Sequence, residues 1–333
     1  MVDALIPAGI GSLPGDDLGA AVRMLSEATP DVVAVPELPG RGVGADMIGR
    51  TGAMLSGLGL DLQPAGWRLV DHEARDQRRA RALLRRDLDD LEEHLQGFAG
   101  VAKFAVAGPW TMAALVERPR GDKVLGDFGA RRELAASLAA GVGELLADMG
   151  RRLPQVTWWA QLDEPMLRPV LAGQVATASA LHRHRRVDAT DAAAALDLFA
   201  DVAGVVGVHW CGAADVDVMR RTRLSAAAVD IAALATADLD DLSAWLESGR
   251  RVWWGTVPTA NPDVLEPVDR SADRLFRLFR TLELDPAVLL RDALVTPACG
   301  LGLWSPSVAR QVLERTAAVA TQVTERLHDQ LGG

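Results

Sequence analysis

Eight short apolar runs recur along the chain, centred on 8–13, 32–38, 104–109, 156–163, 205–211, 227–234, 252–258 and 294–299. Runs of this length without polar alternation read as strands buried on both faces, which in proteins are parallel strands. Helix-length stretches with charged faces separate most of them, at 16–25, 45–58, 131–152, 191–202, 239–248 and 270–283, and 308–331 closes the chain. Strand–helix alternation at this count predicts an α/β protein of the (β/α)8 TIM-barrel type. A doubly wound open sheet is the main alternative. No Gly-x-Gly-x-x-Gly opens a helix after the first strand, so a dinucleotide-binding fold has little support. Residues 71–96 are dense in Arg, Asp and Glu. They read as a solvated helix laced with i,i+4 ion pairs, and the sharper reading is a site for an anionic partner such as a polyglutamate tail. With no linker or low-complexity stretch, residues 1–333 are expected to form one domain, with a long excursion between the second and third barrel strands.

Composition narrows the function classes. The 333 residues are 49% hydrophobic, ample for a large core, and carry a net charge of −10 without a basic stripe, which argues against a nucleic-acid partner. No apolar run reaches the roughly 18 residues needed to cross a bilayer, and the first residues lack the basic start and apolar core of a secretory signal. Two cysteines do not make a disulfide framework in a chain this long. A reducing, cytoplasmic setting is expected.

The chemistry gathers at the ends of the predicted strands, where a (β/α)8 barrel keeps its active site. The fifth run ends in His209-Trp210-Cys211, and the other cysteine, Cys299, ends the eighth. On a strand, residues i and i+2 share a face, so His209 and Cys211 are expected to point to one place. One imidazole and two thiolates form a zinc-type ligand set, and three protein ligands leave a fourth position open, as in catalytic zinc sites. Two acids, Glu37 and Asp163, also stand at strand ends. A carboxylate buried there needs a cationic partner, and a substrate amino group would supply one. The turn Ile10-Gly11-Ser12 can offer backbone N–H groups to a carboxylate. There is no Tyr, and seven of the nine Trp fall on or just after predicted strands; Trp110, Trp210 and Trp304 are the ones placed to line a mouth.

These residues, in this order, resemble the C-terminal catalytic barrel of cobalamin-independent methionine synthase and its stand-alone short relatives. The resemblance rests on Ile10-Gly11-Ser12-Leu13-Pro14, Glu37, Gly108-Pro109-Trp110-Thr111, Gln161-Leu162-Asp163-Glu164-Pro165, His209-Trp210-Cys211 and Cys299-Gly300-Leu301. It implies a methyltransferase of methionine biosynthesis that holds zinc through His209, Cys211 and Cys299 and transfers a methyl group to homocysteine. It implies that Glu37 and Asp163 hold the homocysteine amino group and that Ile10, Gly11 and Ser12 receive its carboxylate. It implies methylfolate or a methylcorrinoid carried by a partner protein as the donor, and leaves open which. Another thiol acceptor, or a non-catalytic homologue that binds a ligand or partner, are the competing readings. One position departs from the family pattern. Where the family has a glutamate ligand near the end of the sixth strand, this chain has Ala232, with Asp230 two residues earlier.

Overall fold

Eight of ten strands form one parallel sheet that nearly closes on itself, in a computed structural model that describes residues 4–331. The strands are β1 (Ile6–Pro7), β2 (Val32–Ala34), β3 (Gly59–Gln63), β4 (Gly66–Val70), β5 (Val101–Ala107), β6 (Thr157–Asp163), β7 (Val205–His209), β8 (Ala226–Asp230), β9 (Arg251–Val257) and β10 (Leu294–Pro297). The sheet order is β1-β10-β9-β8-β7-β6-β5-β2. Helices lie between successive strands, so the architecture is the (β/α)8 barrel that the apolar runs predict. Closure comes beyond the ends of β1 and β2. There Ser12 bridges Glu37 in parallel, the Leu13 N–H donates to the Glu37 carbonyl at 2.8 Å, and the Glu37 N–H donates to the Gly11 carbonyl at 3.0 Å.

Three predicted elements differ. The first strand pairs at Ile6–Pro7, ahead of the predicted 8–13, because Gly11 takes φ 142° and turns the chain out of the ladder before it returns at Ser12. The helix expected at 45–58 shrinks to Met47–Gly52; the following segment leaves the helix, passes through Gly57 at φ 74°, and enters β3. The excursion between β2 and β5 also contains the antiparallel β3–β4 hairpin, which was not predicted. The charged segment forms the helix Arg75–His94, where Arg81 pairs with Glu73 at 2.6 Å and Asp87 with Arg41 at 2.6 Å. Among the described residues, no helix is long and apolar enough to cross a membrane.

The core has two compartments. One lies between sheet and helices, where Trp254 meets Phe279 edge-on at 5.1 Å. The other fills the barrel interior, where Trp253 and Trp159 stack with their rings 6.2 Å apart. Adjacent Trp253 and Trp254 thus serve opposite faces of β9, as strand alternation requires. Gly207 makes this plug possible: a Cβ there would lie 2.6 Å from the Trp253 ring. The plug closes the lower barrel and leaves the C-terminal mouth as the place for polar side chains.

Candidate active site

Inward-facing positions on β5, β6 and β7 stack a polar column on the tryptophan plug. Lys103, Gln161, Asp163 and His209 are all buried. Lys103 donates to the Ile10 carbonyl at 3.1 Å and to Gln161 Oε1, and its ammonium stands 5.3 Å over the Trp253 ring. Gln161 Nε2 donates to Asp163 at 2.7 Å and to the Ile10 carbonyl at 3.2 Å. Asp163 pairs in register with His209 on the neighbouring strand. Burial pushes the Asp163 carboxyl up, against the pull of His209, Gln161 and Lys103. The same burial lowers Lys103 to about 8, although Asp163 and Glu37 favour its charged form.

Glu37 lies just past the end of β2, paired with Arg50 from the helix Met47–Gly52 at 2.9 Å; Arg50 also donates to the Ala105 carbonyl at 2.7 Å. Burial raises Glu37 to about 7; Arg50 opposes the rise, and nearby Asp163 adds to it. The pair occupies one carboxylate oxygen, Oε1.

His209, Cys211 and Cys299 converge, with ligand atoms all within 4.8 Å of one another. His209 ends β7, but Cys211 does not reach it by simple strand alternation. The strand stops at His209, and Cys211 adopts φ 53°, a left-handed conformation that costs a non-glycine residue about 1 kcal/mol or more. That turn brings Cys211 Sγ to 3.0 Å from His209 Nε2. Cys299 arrives from the segment after β10. The two thiols perturb each other in opposite directions. Hydrogen bonding from Cys211, helped by His209, lowers Cys299 to about 4; with Cys299 so close, a second ionisation is opposed and Cys211 is pushed up. Two thiols and an imidazole brought this close together form a donor set that fits a zinc ion. Asp230 is not in this cluster. Its carboxylate accepts from the Ala232 N–H at 2.9 Å, and Ala232 is exposed.

The turn Ile10–Ser12 lies beside the segment that follows Cys299. Leu301 N–H donates to the Ser12 carbonyl at 2.8 Å, and a Cβ on Gly300 would come within 2.8 Å of Ser12 Cβ. The predicted carboxylate turn, the thiols and Asp163 therefore face one mouth. Trp110 does not join them. Its indole N–H donates to the Ala192 carbonyl at 3.0 Å, so its ring sits in the helix layer; its backbone N–H donates to Glu164 at 2.9 Å. Trp210 and Trp304 are buried.

Four supporting residues had no site role from the sequence, and two of them, Gln161 and Glu164, stood there only as parts of a motif. Lys103 and Arg50 hold the column and Glu37. Gln161 orients Asp163. Glu164 also accepts from Thr111 N–H at 2.7 Å and Thr111 Oγ at 2.6 Å, tying the start of the helix Pro109–Leu115 to the end of β6. Burial raises Glu164 to about 7 despite those donors. A Cβ on Gly108 would fall 2.3 Å from the Glu164 carboxylate, so the glycine is what lets the acid sit there. A lone charge inside an apolar strand run was the available signal for Lys103.

Residues 131–322 match the family model described as cobalamin-independent synthase, catalytic domain. The chain belongs to this family. The match runs from within the helix Phe128–Arg152 through β6, β7, β8, β9 and β10 into the last helix, Pro306–Leu331, and includes Asp163, His209, Cys211 and Cys299. Among solved structures, a B12-independent methionine synthase from Shewanella sp. W3-18-1, in complex with selenomethionine, is similar to the chain with a TM-score of 0.66 and 14% identity, over 98% of this chain and 99% of that one. At that identity the likeness speaks for the fold. No curated protein sequence matches the chain.

Proposed function

We propose that this protein is a zinc-dependent methyltransferase that moves a methyl group onto the thiol of homocysteine to form methionine. The observation that carries the reading is the meeting of His209, Cys211 and Cys299 within 4.8 Å, in the same mouth as the buried carboxylate of Asp163. Membership of the family and the selenomethionine bound by the Shewanella structure, an analogue of the product, support it.

A free thiol titrates near about 8.5, so at neutral pH most of it is the poor nucleophile. A zinc ion on the three ligands would supply the acidity that keeps the substrate sulfur a thiolate. The chain's own residues bind and orient. Asp163, fixed by Gln161, accepts from the substrate ammonium, and the free oxygen of Glu37 is a second acceptor. The turn Ile10–Ser12 receives the carboxylate. An ammonium placed between the two acids favours their ionised forms and offsets their burial. The sulfur forms a bond to the methyl carbon as the donor's bond to that carbon breaks. When the donor is 5-methyltetrahydrofolate, its leaving nitrogen takes up a proton; when it is a methylcorrinoid on a partner protein, the bond electrons stay with the corrinoid. With Ala232 just past the end of the sixth barrel strand, no fourth His, Cys, Asp or Glu among the described residues joins these three, which leaves a position for the substrate sulfur.

The test is zinc content together with transfer from methylfolate and from methylcobalamin to a panel of thiols. The expected result is about one zinc per chain and turnover with homocysteine, lost in Cys299→Ser. Protein that binds neither zinc nor homocysteine would overturn the reading, and turnover confined to another thiol would replace the acceptor.

A further inference from the structure

A second charged site stands on the rim of the same barrel face. A cavity of about 470 Å³ is lined by Arg131, Arg183, His184, Arg185 and Arg186, and its lining contains no Asp or Glu. Four guanidinium groups around one cavity repel one another unless an anion joins them. The rest of the molecule treats its arginines differently. The protein carries a net charge of −10, and many of its arginines meet a carboxylate, including Arg41, Arg50, Arg81 and Arg152. None of the four rim arginines is ion-paired with an acid among the described residues.

Arg131, and the backbone of the segment that carries the other three arginines, are held in place before any ligand arrives. Arg131 stands 5.7 Å from the ring centre of Trp110 and 5.5 Å from that of Phe128, so aromatic faces position it where a carboxylate ordinarily would. The segment 174–186, which follows β6, folds back on itself through the bridge between Ala176 and Arg183 and the bond from the Thr177 N–H to the His182 carbonyl at 3.0 Å. Asp122, from the segment that follows β5, pins it by accepting from the Ala178 N–H at 2.8 Å and meeting His184 Nε2 at 3.2 Å. Arg183 donates to the Gln174 carbonyl. The imidazole of His184 also packs on Gly126, where a Cβ would lie 3.2 Å from it. Segments that leave the C-terminal ends of two adjacent strands thus present these cations on the active-site face.

We propose that this rim cavity binds a small polyanion, a ligand with two or more closely spaced carboxylate or phosphate groups. Planar guanidiniums suit either group through paired hydrogen bonds. The site is independent of zinc and of the thiol, so its failure would leave the methyl-transfer reading untouched.

The test is calorimetric titration with tricarballylate and, separately, with inorganic pyrophosphate, with hydrogen exchange across 174–186 to locate binding. The wild-type protein should bind at least one of them and gain protection in that segment. Binding only tricarballylate identifies a carboxylate ligand, and binding only pyrophosphate a phosphate ligand. The double variant Arg185→Gln/Arg186→Gln changes exposed side chains, and it should weaken binding at least roughly tenfold. Arg78→Gln/Arg79→Gln removes the same charge from the helix Arg75–His94 and should leave binding within about twofold. No binding of either probe below about 10 mM, or equal losses in both double variants, would overturn the proposal.

Discussion

The thiols beyond β7 and β10 and the carboxylates beyond β2 and at the end of β6 share one barrel mouth, but they find their partners differently. Glu37 has Arg50, and Asp163 has Gln161, behind which stands Lys103. Each acid is already supported from within the protein. The thiols and His209 have chiefly one another, with the two sulfurs shifted in opposite directions by their own proximity. One region is an assembled electrostatic floor, and the other is a donor set of a kind that could hold a metal ion. The lesson is that the two should respond oppositely to mutation: the sulfur corner through metal content with little loss of fold, the carboxylate floor through stability and substrate affinity with the metal retained.

The largest separation is expected from Cys299→Ser. Zinc affinity should fall by more than about a hundredfold, the upper end for changes to groups that only support a ligand, and methyl transfer should be lost. The denaturation midpoint of the metal-free protein should move little, because Cys299 makes no large apolar contribution. A large drop in metal-free stability would break the comparison.

On the other side, Lys103→Met removes the cation beneath the floor. Losing one partner of a buried charge network costs about 3–5 kcal/mol, read by urea unfolding at about pH 7.5, between the values of about 7 for Glu37 and about 8 for Lys103. The cost should shrink near pH 5, because Glu37, raised to about 7, then holds a proton and needs the ammonium less. Zinc content should be unchanged. A pH-independent loss would mean that Lys103 serves as packing for Trp253 and not as a counter-charge.

Glu164 sharpens the contrast further, since it is buried among donors but has no cation. Its raised pKa, from 4.5 to about 7, means that the folded protein holds more protons than the unfolded chain between those values. The contribution is therefore favourable below about 4.5 and is lost as pH rises through about 7. Glu164→Gln should remove this slope, so that the difference in stability between variant and wild type changes by up to about 3 kcal/mol across the window. Parallel pH curves would contradict the burial argument.

The smallest effect is expected at the substrate end. Asp163→Asn keeps the shape and the bond from Gln161 but loses the charge, and should raise the KM for homocysteine by roughly tenfold to a hundredfold with zinc retained. Loss of zinc instead would place Asp163 on the metal side of the comparison.

Legibility in the sequence followed the same divide. Uninterrupted apolar runs marked β5 to β10 because strands covered on both faces have no polar alternation to hide them. The β3–β4 hairpin was passed over because its run Leu60-Asp61-Leu62 and its partner Trp67-Arg68-Leu69 alternate, the pattern of a half-exposed ribbon outside the barrel. His209, Cys211 and Cys299 stood out as residue types, yet the left-handed turn at Cys211 that makes them meet has no mark in the sequence. The partners of the acids were hidden for a simpler reason. Arg50 and Lys103 come from other elements, and Glu164 acts on Trp110 and Thr111 more than fifty positions away. Trp110 carried a strand-end position that suggested the mouth, but the helix that begins at Pro109 turns its ring outward.

The central claim is that the sulfur corner is finished by zinc and leaves room for one more sulfur. X-ray absorption at the zinc edge, with and without homocysteine, tests it most directly. The account predicts two sulfur ligands and one imidazole nitrogen in the resting protein, rising to three sulfurs when homocysteine is added. Zinc held without sulfur, or a sulfur count that stays at two at saturating homocysteine, would contradict it.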